Sequence, residues 1–265
     1  MKKKTVGSFR KMKENREKIV MMTTYDAPTA ALAAASGVDI LLVGDSLAMT
    51  VLGFQNTLAL TLEESLHHAK SVRRGAPEAF VIGDMPFLTF QTGERDSLLN
   101  AGRYLQEAGC NAVKLEGGAE TAAIVARMVD CGIPVVGHIG LMPQRLLTSG
   151  GYHVVGRNEE AAERVMADAK ALEAAGAFMV VLECVPAALA TEVTAALKIP
   201  TIGIGAGVGT DGQVQVVHDL LGLFGDFLPR HAKRYVNLGE QMSTAFKQYV
   251  QEVKNGTFPG PENSF

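Results

Sequence analysis

The chain has 265 residues, of which 47% are hydrophobic and 20% are charged, and its formal net charge at pH 7 is −3. This length suits one barrel-sized domain or two small domains, and the composition is typical of a globular enzyme. The slightly negative net charge argues against a nucleic-acid partner.

Several other classes are disfavoured by the same sequence. The Lys- and Arg-rich segment 1–18 is not followed by the apolar run of a secretory signal, so we expect a solvent-exposed helical arm there. No uncharged apolar stretch reaches the roughly 18 residues of a membrane span. Three cysteines without CxxC spacing indicate neither a disulfide framework nor a zinc site. We therefore expect a cytoplasmic protein.

One local pattern recurs along the chain: a helical stretch, a glycine and then an apolar run. Because the runs do not alternate with polar residues, they are typical of strands buried on both faces. The eight predicted strands span 19–25, 39–45, 79–84, 112–116, 134–139, 178–184, 200–205 and 223–228.

Helical patterns lie between most of these strands. Thr61 and Glu64 form a capping-box signature before one helix, and Asn158 is a suitable N-cap for another helix that ends at Gly176. Eight βα units predict an α/β fold, a single (β/α)8 TIM barrel over residues 1–265 with the N-terminal arm at about 1–18. An open doubly wound sheet is the alternative.

The carboxyl ends of six consecutive predicted strands carry ionisable or hydroxyl side chains. In a barrel these ends meet at one mouth, where active sites are built. A single acid at such a place often caps a helix or starts a turn, but six together favour a functional site. The residues are Tyr25, Asp26, Asp45, Ser46, Asp84, Lys114, Glu116, His138 and Glu183.

Three of these acids suggest a metal ion. Asp45, Asp84 and Glu116 come from neighbouring strands and offer hard oxygen ligands, with no Cys or His at a metal-binding spacing. This donor set favours Mg²⁺. The alternative is that one or more of the acids pairs with Lys114 or an arginine.

Two further groups suit acid–base chemistry. Glu183 follows the apolar run "FMVVL", an environment that suits a general base. His138 lies in "VVGHIG", where the glycines would let a ligand come close, although it could equally be a structural histidine.

Two segments have no assigned chemistry. "GIGAG" at 203–207 is compatible with phosphate binding or with crowded strand packing. Segment 141–158 is either a lid or an irregular packed connection.

The motifs of the chain, taken in order, resemble those of the ketopantoate hydroxymethyltransferase family. The resemblance runs from about residue 20 to the C-terminal "NSF", with Ala48 and Ser149 as departures where the family has Gly and often an aromatic residue. The motifs are "TTYDA", "VGDSLAM", "VRRGAP", "GDMPF", "VKLEGG", "GHIGLMPQ", "GGYHVVGR", "LECVP" and "IGIGAG", followed by "DGQ".

The resemblance implies a barrel of the phosphoenolpyruvate mutase/isocitrate lyase type. It implies transfer of a hydroxymethyl unit from 5,10-methylenetetrahydrofolate to 3-methyl-2-oxobutanoate through a Mg²⁺-stabilised enolate, giving 2-dehydropantoate for pantothenate and coenzyme A synthesis. The expected partners are these two substrates and further copies of the chain, in a decamer, with neither nucleic acid nor membrane.

Residue roles also follow from the resemblance. Glu183 corresponds to the proton acceptor, Ser46 and Lys114 to ligands of the substrate carboxylate, and His138 to a positioning group. The expected metal shell is Asp45, Asp84 and Glu116. The expected substrate-binding residues are Asp45, Ser46, Asp84, Lys114 and His138.

Two rival functions remain at this point. A Mg²⁺-dependent lyase of the same barrel group would cleave a C–C bond in a 2-oxo acid with the same acids. Such lyases resemble this chain less, because they use a loop cysteine and segment 141–158 has none. A non-catalytic binding barrel would tolerate replacement of the strand-end acids.

Overall fold

The computed structural model describes residues 3–223 and 228–265. Contacts divide the chain into two compact units, Met1–Val216 and Val217–Phe265. The extent of a single domain over 1–265 stays a prediction.

The first unit contains a closed barrel of eight parallel strands that neighbour one another in chain order. Pairing of Ile19 with Gly212 joins the last strand to the first. The barrel prediction is therefore confirmed, and the open-sheet alternative is wrong. The strands are β1 (Ile19–Thr23), β2 (Ile40–Val43), β3 (Phe80–Asp84), β4 (Ala112–Glu116), β5 (Val135–Gly140), β6 (Met179–Glu183), β7 (Thr201–Ile204) and β8 (Gly212–Gln215).

The eighth strand lies earlier in the chain than the sequence predicted. β8 pairs with β7 and β1, whereas the predicted strand 223–228 falls mostly on residues 224–227, which lie outside the described residues. β8 is short, and two of its four residues are glutamines. A search for continuous apolar runs misses such a strand because its burial alternates.

Helices follow most strands and cover the outside of the barrel. The helices of the first unit are α1 (Val6–Glu14), α2 (Ala27–Ala35), α3 (Leu47–Thr50), α4 (Leu62–Gly75), α5 (Glu94–Gln106), α6 (Ala122–Asp130), α7 (Leu146–Ser149), α8 (Glu159–Ala174) and α9 (Ala187–Ala196). Short 3-10 turns lie at Thr57–Ala59, Ala119–Thr121 and Pro143–Arg145.

The predicted helix starts are confirmed. Thr61 Oγ1 accepts a hydrogen bond from the Glu64 amide, and the Glu64 carboxylate accepts one from the Thr61 amide. The Asn158 side chain accepts from the Ala161 amide at the start of α8. These bonds satisfy amide groups that the first helical turn leaves free.

Helix α1 is not simply a solvent-exposed arm. Its Phe9 and Met12 side chains are buried in the same apolar cluster as the barrel interior. The Phe9 ring centroid lies 4.9 Å from that of Phe80 and 6.5 Å from that of Phe178, near the amino ends of β3 and β6. The helix therefore closes the amino-terminal end of the barrel, opposite the predicted site.

The second unit contains α10 (Val217–Leu221), α11 (Leu238–Asn255) and a 3-10 turn at Pro261–Asn263. None of the residues of α11 is buried. Across residues 3–223 and 228–265, every helix is too short or too polar to cross a bilayer.

Candidate active site

The carboxyl ends of β2 to β6 bring the predicted ionisable side chains together. The register of the barrel sets Asp84 beside Lys114 and Glu116 beside His138. Asp45, just after β2, is buried, and so are Asp84, Lys114, Glu116 and His138 on β3 to β5. Glu183 is partly exposed. The structure thus forms a charged cluster inside an otherwise apolar barrel.

Asp84 and Lys114 form a buried ion pair at this mouth. Lys114 Nζ lies 2.6 Å from Asp84 Oδ1, and the residues are 4% and 1% exposed. The pairing of an acid with Lys114, which the sequence left as an alternative, is what the structure shows for Asp84. Burial raises the pKa of Asp84 to about 6, although Lys114 acts in the opposite direction.

Lys114 remains protonated in spite of its burial. Loss of water disfavours the ammonium, but the carboxylates of Asp84, Asp45 and Glu116 outweigh this effect and raise the pKa of Lys114. A permanent positive charge therefore sits at the centre of the carboxylates.

The Asp84 backbone is held by a tyrosine that sequence analysis missed. The Tyr104 hydroxyl donates to the Asp84 carbonyl oxygen over 2.8 Å and lies 2.7 Å from Ser65 Oγ. A Cβ on Gly83 would lie 2.2 Å from Tyr104 Cδ1, so only glycine leaves room for the ring. Tyr104 lies within α5, and nothing local in its sequence indicates this contact.

Gln144 is the second residue that sequence analysis missed. It lies on the Pro143–Arg145 turn inside segment 141–158, is 4% exposed, and belongs to the "GHIGLMPQ" motif without an assigned role there. Its Nε2 donates to Asp45 Oδ2 and its backbone N–H donates to Glu116 Oε2, both over 3.0 Å. One residue thus contacts carboxylates from two different strands.

The carboxylates of Asp45 and Glu116 repel each other across this contact. Burial raises the pKa of Asp45, and the charge of Glu116 raises it further. The amide of Gln144 acts in the opposite direction because it donates to the ionised form.

His138 lies between two carboxylates. Its Nδ1 is 3.5 Å from Glu116 Oε1, and its Nε2 is 3.2 Å from Glu183 Oε2. Neither contact has hydrogen-bond geometry, so His138 is not a satisfied structural histidine. Burial and Lys114 disfavour its protonation, but Glu116 and Glu183 outweigh them and raise the pKa of His138 to about 9.

The backbone around Glu183 is fixed from both sides. Leu141 N–H donates to the Glu183 carbonyl, and Cys184 N–H donates to the Ile204 carbonyl. Cys184 has a φ of 48°, a left-handed conformation that is uncommon for residues other than glycine. Its local strain lies directly beside the predicted base.

Ser46 is half-buried and contacts a tyrosine from the neighbouring strand end. Its Oγ lies 2.8 Å from the hydroxyl of Tyr25. Burial raises the pKa of Tyr25 to about 12, so the phenol stays neutral. Ala48, the departure from the family motif, is completely buried two residues further on.

The "GIGAG" segment fits its packing interpretation. A Cβ on Gly203 would lie 2.8 Å from Thr210 Oγ1, and one on Gly207 would lie 2.5 Å from the Ala187 side chain. Both positions are crowded by protein atoms, and Gly207 also has a φ of 76°, so packing and backbone conformation account for glycine there.

The donor chemistry of the site suits a divalent cation. Asp45, Asp84, Glu116 and Glu183 are four carboxylates, against the two cations Lys114 and His138. Glu116 Oε1 is buried without a hydrogen-bond partner. Hard oxygen ligands and an excess of negative charge are what Mg²⁺ prefers. Within the described part of the chain, however, no three His, Cys, Asp or Glu side chains already converge as a metal-ligand group.

The structure is a (β/α)8 barrel with a charged cluster at the carboxyl ends of its strands, and its fold is of the phosphoenolpyruvate mutase/isocitrate lyase type. A 2,3-dimethylmalate lyase of that superfamily covers 96% of the chain, and the chain covers 89% of it, with a TM-score of 0.60 and 18% identity. A phosphonopyruvate hydrolase crystallised with oxalate and Mg²⁺ gives a TM-score of 0.62 at 11% identity, covering 98% and 93%. These likenesses concern the fold.

Sequence comparison is more specific. The profile of the family described as ketopantoate hydroxymethyltransferase matches residues 3–261. The 3-methyl-2-oxobutanoate hydroxymethyltransferase of Syntrophus aciditrophicus (strain SB) is 54% identical over 264 residues, which are 100% of this chain and 97% of that protein. The chain therefore belongs to the ketopantoate hydroxymethyltransferase family, and it is an enzyme of the hydroxymethyltransferase class.

Proposed function

We propose that this mouth transfers a hydroxymethyl unit from 5,10-methylenetetrahydrofolate to 3-methyl-2-oxobutanoate, giving 2-dehydropantoate in pantothenate and coenzyme A synthesis. The supporting observation is the buried Asp84–Lys114 pair beside the His138–Glu183 contact, in a chain of this family. Such a site offers both a base and fixed positive charge, which deprotonation beside a 2-oxo group requires.

Glu183 is the proposed base. It is the least buried carboxylate of the cluster, with a side chain 14% exposed, so a substrate can reach it from the mouth. His138 Nε2 lies 3.2 Å from its Oε2, close enough for charge attraction. Glu183 would remove the C3 proton of the 2-oxo acid and leave an enolate, whose carbon attacks the one-carbon unit of the folate. One water molecule supplies the hydroxyl group of the product, and tetrahydrofolate leaves.

Lys114 and Ser46 are the proposed ligands of the substrate carboxylate. The Lys114 ammonium supplies charge, and the Ser46 hydroxyl supplies a hydrogen bond that fixes orientation. Tyr25 holds Ser46 from the side over 2.8 Å, which limits its rotation. Fixed donors of this kind cost little reorganisation during the reaction.

Mg²⁺ is the proposed metal, held by Asp45, Asp84 and Glu116. Glu116 Oε1, which accepts no hydrogen bond, and the excess of carboxylates support it, as does the Mg²⁺ present in the phosphonopyruvate hydrolase structure. When bound, the ion would supply positive charge for the 2-oxo oxygen.

Exchange of the C3 proton tests the base directly. We expect Glu183→Gln to slow exchange of that proton into D₂O, followed by NMR without folate, by about 100-fold or more, because a general base contributes about that factor. Binding of 3-methyl-2-oxobutanoate should change far less. Glu192→Gln, at an exposed position on α9, is the matched control. Exchange near the wild-type rate in Glu183→Gln would remove Glu183 from this role.

Dependence on the folate separates this function from its rival. A lyase of the same barrel group would cleave 2-oxo acids with Mg²⁺ alone, so product formation without 5,10-methylenetetrahydrofolate would favour the lyase. Assembly into a decamer and a cytoplasmic location stay predictions, and light scattering of the purified chain measures the first.

A further inference from the structure

Gln144 contacts two carboxylates of the site, one through its side chain and one through its backbone N–H. It contacts Asp45, which follows β2, and Glu116, which ends β4, although it belongs to the segment after β5. Its Nε2 also donates to the carbonyl oxygen of Met85 over 3.0 Å. Both neighbours of Nε2 are acceptors, so the orientation of the amide is fixed by its surroundings.

We propose that Gln144 is a positioning residue, which orients Asp45 and Glu116 so that each keeps one carboxylate oxygen available for a divalent cation. Gln144 occupies Oδ2 of Asp45 and Oε2 of Glu116. Glu116 Oε1 is left buried without a hydrogen bond, with His138 Nδ1 3.5 Å away, and the Gln144 contact to Asp45 is made by Oδ2 and not by Oδ1. This inference rests on the proposed function, since that function places the cation here.

The chemistry of the amide explains why this residue suits the position. Asp45 and Glu116 repel each other, and a neutral donor between them lowers that repulsion without adding charge of its own. A glutamate would add a fifth carboxylate to the cluster, and a methionine of similar length would offer no donor. Outer groups that hydrogen-bond a metal ligand fix its direction and raise metal affinity.

The remaining oxygen of the amide points to the same role. Gln144 Oε1 is buried and has no partner in the described structure. A buried acceptor without a partner is unfavourable, because it has lost its hydrogen bonds to water. A hydrogen-bond donor that binds in the site together with its ligands would pair with this oxygen. A residue that served only to fill space would gain nothing from such a donor.

Gln144→Met removes the side-chain contact to Asp45, keeps the backbone contact to Glu116, and so tests the role of the side chain by a direct measurement of metal binding. Mn²⁺ serves as the probe, because the EPR signal of the free ion reports the bound fraction without any turnover. We expect the affinity for Mn²⁺ to fall about 10- to 100-fold, the range found when such outer partners are removed. In the assay, the KM for Mg²⁺ should rise by a similar factor, while kcat at saturating Mg²⁺ stays within about threefold of wild type.

Two further variants make the result specific. Gln144→Asn keeps an amide but is one methylene shorter, so it should fold and still bind Mn²⁺ more weakly than wild type. Gln106→Met, at an exposed position at the end of α5, should leave Mn²⁺ binding unchanged. Circular dichroism shows which variants fold.

The outcomes separate this inference from the proposed function. If the wild-type chain binds Mn²⁺ and folded Gln144→Met and Gln144→Asn bind it within about twofold of wild type, the positioning role is overturned while the metal site stands. If the wild-type chain itself does not bind Mn²⁺, the proposed metal site and this inference are both overturned.

Discussion

Removal of the Lys114 charge should be among the most destabilising single changes at the mouth. Lys114→Met leaves the Asp84 carboxylate buried without its cation. At the observed 2.6 Å and an effective dielectric constant of about 20, the lost attraction is about 6 kcal/mol. The methionine no longer pays the desolvation cost of a buried ammonium, which offsets part of this loss. We expect a net decrease of about 3–5 kcal/mol in the free energy of unfolding.

The reverse change should cost less, because the pair is not symmetrical. In Asp84→Asn, Lys114 keeps the nearby carboxylates of Asp45 and Glu116, which also raise its pKa. In the double variant, which combines Lys114→Met with Asp84→Asn, neither charge of the pair remains. Apolar or neutral replacements of buried ion pairs are often tolerated. The double variant should therefore be more stable than Lys114→Met alone.

Urea unfolding of the four proteins, followed by circular dichroism in EDTA at one protein concentration, measures this cycle. EDTA keeps a bound metal from adding to the apparent stability. Additive single effects, within about 0.5 kcal/mol, would refute the argument, since they would mean that the two charges do not interact across the observed contact.

Three other predictions concern the frame around the site. Gly83→Ala should lower the free energy of unfolding by about 1–3 kcal/mol in a urea titration, because its Cβ would overlap the buried Tyr104 ring. Thiol titration with a disulfide reagent should modify the exposed Cys131 quickly and Cys110 only on unfolding, because burial shields Cys110 and raises its pKa to about 12. Thr61→Ala should cost about 1 kcal/mol by the same urea measurement, through loss of the cap of α4, and an unchanged midpoint would contradict the capping argument.

Most of the barrel could be predicted because its strands carry a local signal. The first seven predicted strands all overlap observed ones, since each is an apolar run preceded by a helix end. β8 carries no such signal, and its place is fixed by pairing with β1 across the whole length of the unit. The burial of Phe9 on α1 was missed for a similar reason, because its partners Phe80 and Phe178 are distant in the chain.

The candidate site, like the barrel, could be predicted from the sequence only in part. The strand-end acids were visible because the topology of a parallel barrel collects all carboxyl ends at one mouth. The pairing of Asp84 with Lys114 depends on strand register, which only the structure supplies. Tyr104 and Gln144 act through single contacts from a helix and an irregular segment, and such contacts leave no periodicity in the sequence. The sign of a role for Gln144 in the sequence was its place in the motif "GHIGLMPQ".

The position of α1 has a consequence for how the protein is made. This helix is synthesised before every strand of the barrel, yet Phe178, against which Phe9 packs, is synthesised only after the first five strands. Until Phe178 is synthesised, Phe9 lacks this partner. It then belongs to an exposed apolar surface of the nascent helix, to which a chaperone or a neighbouring nascent chain can bind. A solubility tag fused ahead of α1 would lie beside this apolar surface during synthesis, whereas one fused after α11 would be synthesised later than Phe178.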